Sequence, residues 1–123
     1  TNQVEYHPHL NQKGLLRFCK EREMLLTAYS PLGQGTALAD KTLIDVARQA
    51  GRTVAQVCLR WLLQKGIAVI PKSSSQKRMA ENLAAAEFEL SPVEMERIEA
   101  IRVRRRVIDW WPGGFDQDPG AFD

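Results

Sequence analysis

Cysteine and histidine are scarce, with two of each in a chain of 123 residues. Cys19 and Cys58 both fall within helical periodicity rather than in loops. That placement excludes a disulfide-stapled scaffold and reads as two buried thiols in a reducing compartment. Two histidines and two cysteines at these spacings do not make a tetrahedral metal set either. Long apolar runs are missing: nothing approaches the roughly 20 residues that span a bilayer. No signal-peptide pattern opens the chain, so the cytoplasm is the expected location. An excess of one charge is also missing. Lys and Arg total 17 against 15 Asp and Glu, a net +2, far from the concentrated positive charge of a nucleic-acid binder. The one dense basic run, Arg102 to Arg106, includes Val103. It reads as the solvated end of a helix, where cations suit the terminus. No Gly-x-Gly-x-x-Gly follows any strand, so any nucleotide must be held in another way than by that fingerprint.

What is present is an ordinary globular composition, 44% hydrophobic and 26% charged, with enough chain for a real core. Alternation over residues 2–6, stopped by His7-Pro8, predicts a short strand. Residues 12–21 carry Leu15, Leu16 and Cys19 on one side and predict an amphipathic helix with Asn11 as its cap. Residues 25–29 predict a second strand, followed by a mobile loop of Gly33-Gln34-Gly35. Leu43, Val46, Ala47 and Ala50 have helical spacing, with Gly51 as the stop. Thr53 and Gln56 form a capping box for a helix to Lys65 that is apolar nearly all round. Residues 67–70 predict a third strand, apolar throughout as parallel strands tend to be. Ser75 caps a helix to about residue 86. Ser91-Pro92-Val93-Glu94 starts another, predicted to run to about Arg104. The tail from Val107 is irregular and holds Trp110, Trp111 and Phe115. Strands separated by helices imply parallel pairing, and three such strands leave a sheet with two open edges.

Several residues can carry chemistry. Lys72 and Ser73 follow the third strand and precede the helix capped by Ser75. Free amides at a helix start, with Lys72, the hydroxyls and Arg78, suit a phosphate dianion. Arg78 and Asn82 are four apart and share a face, with Glu81 beside them. On spacing alone, a helix cap with solvated charges accounts for the same residues. Tyr29 ends a strand and can present a flat ring for stacking, or it can be a core aromatic. Gln3 offers a donor and an acceptor suited to a carboxamide. Tyr6 and His7 tempt a catalytic reading, but adjacent strand residues point opposite ways. Glu5 reads as a structural ion-pair partner, and His9 as a loop residue with no partner in view.

Three strings in order resemble the aldo-keto reductase family: Asn2-Gln3-Val4-Glu5-Tyr6-His7-Pro8, Ala28-Tyr29-Ser30-Pro31-Leu32-Gly33, and Ile70-Pro71-Lys72-Ser73-Ser74-Ser75 with Arg78, Glu81 and Asn82. The resemblance covers residues 1 to about 102. It implies an α/β fold, the C-terminal part of a (β/α)8 barrel with strands six to eight and their helices. Residues 1–106 would be the barrel part and residues 107–123 the C-terminal loop. It implies NADPH as cofactor and a small carbonyl compound as substrate, in a monomer or weak dimer without nucleic acid or membrane. Gln3 would meet the nicotinamide amide and Tyr29 would stack on its ring. Ser30, Leu32 and the loop at Gln34 would touch the pyrophosphate, although Gln34 stands where many relatives carry a small hydroxyl residue. Lys72, Ser73, Ser74, Ser75 and Arg78 would take the 2′-phosphate, and Glu81 and Asn82 the adenine. Trp110 and Trp111 would line the substrate pocket, or else pack on outer helices.

The family's proton-donor Tyr and its Lys, Asp and His helpers lie in the first half of the barrel, so no catalytic residue is expected in this chain. A barrel of about 250 residues predicts a parent with roughly 150 more residues upstream of Thr1. Two other readings stand beside this one. The first is a non-catalytic, NADPH-binding relative with a regulatory or structural role. The second is a stand-alone half barrel that pairs with itself.

Overall fold

The structure is a computed structural model and describes residues 1–108. Trp110, Trp111 and Phe115 lie outside the described residues. The chain opens with β1 (Asn2–Glu5), α1 (Lys13–Glu21) and β2 (Leu26–Tyr29). A 3-10 segment (Gly33–Ala39), α2 (Lys41–Ala50), α3 (Val54–Gln64) and β3 (Ala68–Val69) follow. Then come α4 (Gln76–Leu83), a 3-10 turn (Ala84–Glu87) and α5 (Pro92–Glu99). The strands form one parallel sheet in the order β1-β2-β3. Asn2 pairs with Leu26, Glu5 with Tyr29, and Ala28 with Val69.

The sheet has two unlike faces. Val4, Tyr6, Leu26, Ala28, Ile67 and Val69 point toward the helices and join Cys19, Leu43, Val46, Val57, Trp61, Leu62 and Ile98 in the core. Each large side chain taken fully from water there stabilises by about 1.5–3 kcal/mol. The opposite face carries Gln3, Glu5, Thr27 and Tyr29, as the two-residue period of a strand requires. Gln3 is exposed, and Thr27 and Tyr29 are half-buried.

Local signals explain most boundaries. Thr53 and Gln56 close their capping box, as do Ser91 and Glu94 with Pro92 in the first turn. Gly51 takes the left-handed conformation that ends α2. The thiols of Cys19 and Cys58 are free and buried, and burial pushes Cys58 up to about 12, which removes it as a nucleophile at neutral pH.

Elsewhere the structure departs from the pattern. Asn11 does not cap α1, because its side chain is engaged by Tyr6, Lys65 and Glu99; Gln12 precedes the helix without a capping bond. The last helix stops at Glu99 rather than near Arg104. The basic run that follows is therefore not a helix end. Closely spaced arginines repel one another in a helix. This segment instead leaves α5 and docks elsewhere, the Arg105 amide donating to the His9 carbonyl at 2.7 Å. The third strand is shorter than residues 67–70, and α4 ends at Leu83 before the tighter 3-10 turn. The stretch Gly33-Gln34-Gly35 is not a loose loop but a pair of tight turns with positive φ at all three residues. Gly33 is required there: a Cβ would lie 2.7 Å from Thr36 Oγ1.

Candidate functional site

The turn after β2 and the segment after β3 meet. Ser30, Pro31, Leu32, Gln34 and Gly35 line one cavity of about 340 Å³ with Pro71 and Lys72. Residues some 40 positions apart in sequence thus share a concave surface at the strand ends. A larger cavity, about 550 Å³, lies between the start of α1 and the stretch after α5, away from these residues. Tight turns shape the first cavity: Gly33 N donates to Ser30 O at 2.8 Å and Gly35 N to Leu32 O at 3.0 Å. Ser30 and Gln34 hold φ of 47° and 51°. Such conformations are unfavourable for residues with a Cβ and cluster at functional sites.

Below the cavity, α4 begins. Ser75 accepts from the Arg78 amide as its cap, and Ser73 Oγ accepts from the Ser75 amide. Ser74 lies between them, its side chain without a hydrogen bond among the described residues. The first-turn amides of a helix have no intrahelical acceptor, so this N-terminus keeps donors for an anion. Gln56 Nε2 donates to Glu81 O at 3.1 Å and holds α4 against α3. Yet α4 buries none of its residues. Among the described residues, the side chains of Lys72, Lys77, Arg78, Glu81 and Asn82 make no hydrogen bond or ion pair. A row of cations beside open helix amides fits a phosphate group.

The end of β1 is different, and it holds the residues that sequence reasoning missed. Glu5 and His7 are fully buried, with His7 Nε2 2.9 Å from Glu5 Oε1. Burial lowers the His7 pKa, against the opposing pull of Glu5. Glu5 thus has a structural partner in His7, but burial favours the neutral ring, so the contact is a hydrogen bond rather than the expected ion pair. His9 does have a partner: its Nε2 lies 3.0 Å from Asp40 Oδ2. Tyr6 also has partners. Its hydroxyl donates to Asn11 Oδ1 at 2.7 Å, and Lys65 Nζ donates to the same oxygen at 2.9 Å. Asn11 Nδ2, Trp61 Nε1 and Lys65 Nζ all donate to the Glu99 carboxylate. Burial and then the charge of Glu99 push the Tyr6 pKa far above its ordinary value. This phenol is a poor acid, and Tyr6 points to the helix side while His7 points to the open side, so the two do not act together. No group of three or more His, Cys, Asp or Glu residues that could hold a metal occurs among the described residues. Among them, no helix is long and apolar enough to cross a membrane.

The sequence pattern of the Aldo/keto reductase family matches residues 1–103. The chain is 45% identical over 107 residues to glyoxal reductase of Bacillus subtilis (strain 168), covering 87% of this chain and 39% of that protein. It is 45% identical over 124 residues to aldose reductase B of Dictyostelium discoideum, covering 99% of this chain and 39% of that protein. The crystal structure of a Gox0644 variant in complex with NADPH superposes with a TM-score of 0.78 at 40% identity, over 85% of this chain and 38% of that one. The chain thus spans about two fifths of the length of these relatives.

Proposed function

The chain belongs to the aldo/keto reductase family, and on that premise we propose that it supplies the cofactor floor of an NADPH-dependent reductase of aldehydes and ketones. In this reading β1, β2 and β3 are the sixth, seventh and eighth strands of a (β/α)8 barrel. Residues 1–106 are barrel and residues 107–123 the C-terminal loop. A parallel sheet with one face packed on helices and the other open is what such a portion would present. The short span relative to the matched proteins fits the same reading.

NADPH, when bound, supplies the hydride. The chain's own residues bind and orient it. Gln3, exposed on the open face, offers the donor and acceptor that a carboxamide needs. Tyr29, two strand positions from Thr27 on that face, offers a ring for stacking. Ser30, Leu32, Gln34 and the Gly35 backbone shape the cavity for a pyrophosphate, and the exposed Gln34 carboxamide replaces the small hydroxyl found in many relatives. Lys72, Ser73, Ser74, Ser75 and Arg78 take the 2′-phosphate of the adenosine ribose, with Glu81 and Asn82 beside it for the adenine. On the family resemblance, proton delivery to the carbonyl oxygen falls to a Tyr with Lys, Asp and His helpers in the first half of the barrel; Tyr6, whose pKa is raised by burial, is a poor substitute.

The observation that carries this proposal is the set of side chains of Lys72, Arg78, Glu81 and Asn82, without partners among the described residues, beside a cavity built from the turn after β2. The test is NADPH oxidation with a panel of aldehydes and ketones, by the full-length protein and by residues 1–123 alone. Turnover is expected from the first and none from the second, since carbonyl reduction needs a positioned proton donor. Turnover by the pure isolated chain would overturn the residue assignment. Absence of both turnover and NADPH binding in the full-length protein would overturn the proposal itself.

A further inference from the structure

Glu5 does more than pair with His7. Its Oε1 accepts the Val107 amide at 2.7 Å and its Oε2 accepts the Ile108 amide at 2.9 Å. One fully buried carboxylate therefore grips two consecutive backbone amides from the far end of the chain. With both oxygens accepting from the backbone, His7 Nε2 serves as the third donor; its lowered pKa favours the neutral ring, and Nδ1 has no hydrogen bond among the described residues. Two residues earlier, the Arg105 amide is fixed separately on the His9 carbonyl. Chelation of adjacent amides by a single carboxylate sets both the position and the direction of the chain, which a single hydrogen bond does not. Glu5 lies on the open face of β1, the face that also carries Gln3.

We infer that Glu5 is a positioning residue, oriented by His7, that fixes Val107 and Ile108 at the open face of β1, two residues from Gln3, and so bounds the space left for the carbonyl substrate on that side. This rests on the cofactor reading above, which puts the nicotinamide at Gln3. Glu5 touches neither substrate nor cofactor in this account and acts through the segment it holds.

The test is Glu5→Gln in the full-length protein, read by residue-resolved amide exchange, NADPH titration and steady-state kinetics. A carboxamide turns one acceptor into a donor facing an amide. Exchange at Val107 and Ile108 should then rise by roughly tenfold or more, while Arg105 stays within about twofold, because its acceptor is untouched. KM for bulky carbonyls should rise with kcat and NADPH affinity nearly kept. Equal acceleration at Arg105, or none at Val107 and Ile108, would overturn the clasp. Freed amides with unchanged KM would overturn the positioning role. If the variant fails to fold, the unmodified protein decides: Val107 and Ile108 must be protected relative to Arg102 and Val103, and equal exchange overturns the inference. Should the full-length protein bind no NADPH, the cofactor reading fails, and the exchange data still decide the clasp by themselves.

Discussion

Tyr6, Asn11, Lys65 and Glu99 sit behind β1 and are joined by hydrogen bonds to one another. Lys72, Arg78, Glu81 and Asn82, following the opposite edge strand, have side chains joined to nothing among the described residues. Similar residue types thus stand in two physical situations. In the first, desolvated charges must be paired, because a buried unpaired charge costs several kcal/mol. Those partners also fix α5 to α3 and to the end of β1. In the second, water solvates the side chains at little cost, so nothing in the fold requires them there. The lesson is that the buried network is explained by the fold and the exposed row is not, which makes the row the first place to test for a bound anion.

The comparison breaks most visibly at Glu99. Replacing it by Ala leaves Lys65 Nζ, Trp61 Nε1 and Asn11 Nδ2 short of an acceptor. Because Glu99 is partly exposed, with 26% of its side chain accessible, the cost should fall near the low end for such a break, about 3 kcal/mol. Denaturant unfolding checks this, and NADPH affinity of the folded variant should be unchanged. A loss below about 0.5 kcal/mol, as at ordinary surface sites, would mean that the network decorates rather than holds.

A second prediction concerns Trp110 and Trp111, which lie outside the described residues. The family resemblance implies that they would line the substrate pocket. Their replacement by Ala in the full-length protein should shift the relative kcat/KM of carbonyl substrates by about 1–3 kcal/mol, the range for apolar pocket contacts. NADPH affinity should stay nearly intact. An unchanged ranking with lowered thermal stability would make them a structural clasp.

A smaller effect separates the two ends by pH. Burial lowers the His7 pKa despite the Glu5 hydrogen bond, so the unfolded chain takes up that proton first. Stability from this source is complete above the ordinary histidine value near 6.5 and declines as pH falls below it. For Glu99, burial acts upward, but hydrogen bonds from Lys65 and Asn11 prevail and the carboxyl sits below its ordinary 4.5. Its contribution is complete above that value and is lost as pH falls through the lowered pKa. Melting temperature should therefore fall in two stages on acidification. His7→Gln, which can still donate to Glu5, should flatten the upper stage and spare the lower. The same slope between about pH 7 and 5.5 in both proteins would contradict this.

The sequence made the phosphate candidates legible because they lie in one contiguous segment with its own helix cap. Ser75, Lys72 and Arg78 can be read together without knowing any long-range contact. The capping boxes at Thr53 and Ser91 were legible for the same reason. The pairing of Lys65 with Glu99 was not, since it joins positions 34 apart, and nothing local to either residue announces it. His9 with Asp40, 31 apart, and Glu5 with the Val107 and Ile108 amides are of the same kind. The arginine run was misread because a helix end and a docked extended segment look alike when only charge is considered. The amide of Arg105, not its side chain, finds the partner. The cavity joining Ser30, Leu32 and Gln34 to Lys72 could not be drawn from spacing either, since it depends on β2 lying beside β3.

The most direct measurement is the affinity of the full-length protein and its Arg78→Ala variant for NADPH and for NADH. The two cofactors differ only in the 2′-phosphate, so each reports on the rest of the site while their ratio reports on the row after β3. The account predicts that Arg78→Ala weakens NADPH by about 1–3 kcal/mol, the worth of a charge-assisted hydrogen bond, and leaves NADH and thermal stability essentially unchanged. Equal losses for both cofactors, or a lower melting temperature with no change in binding, would contradict it and would return Arg78 to the fold.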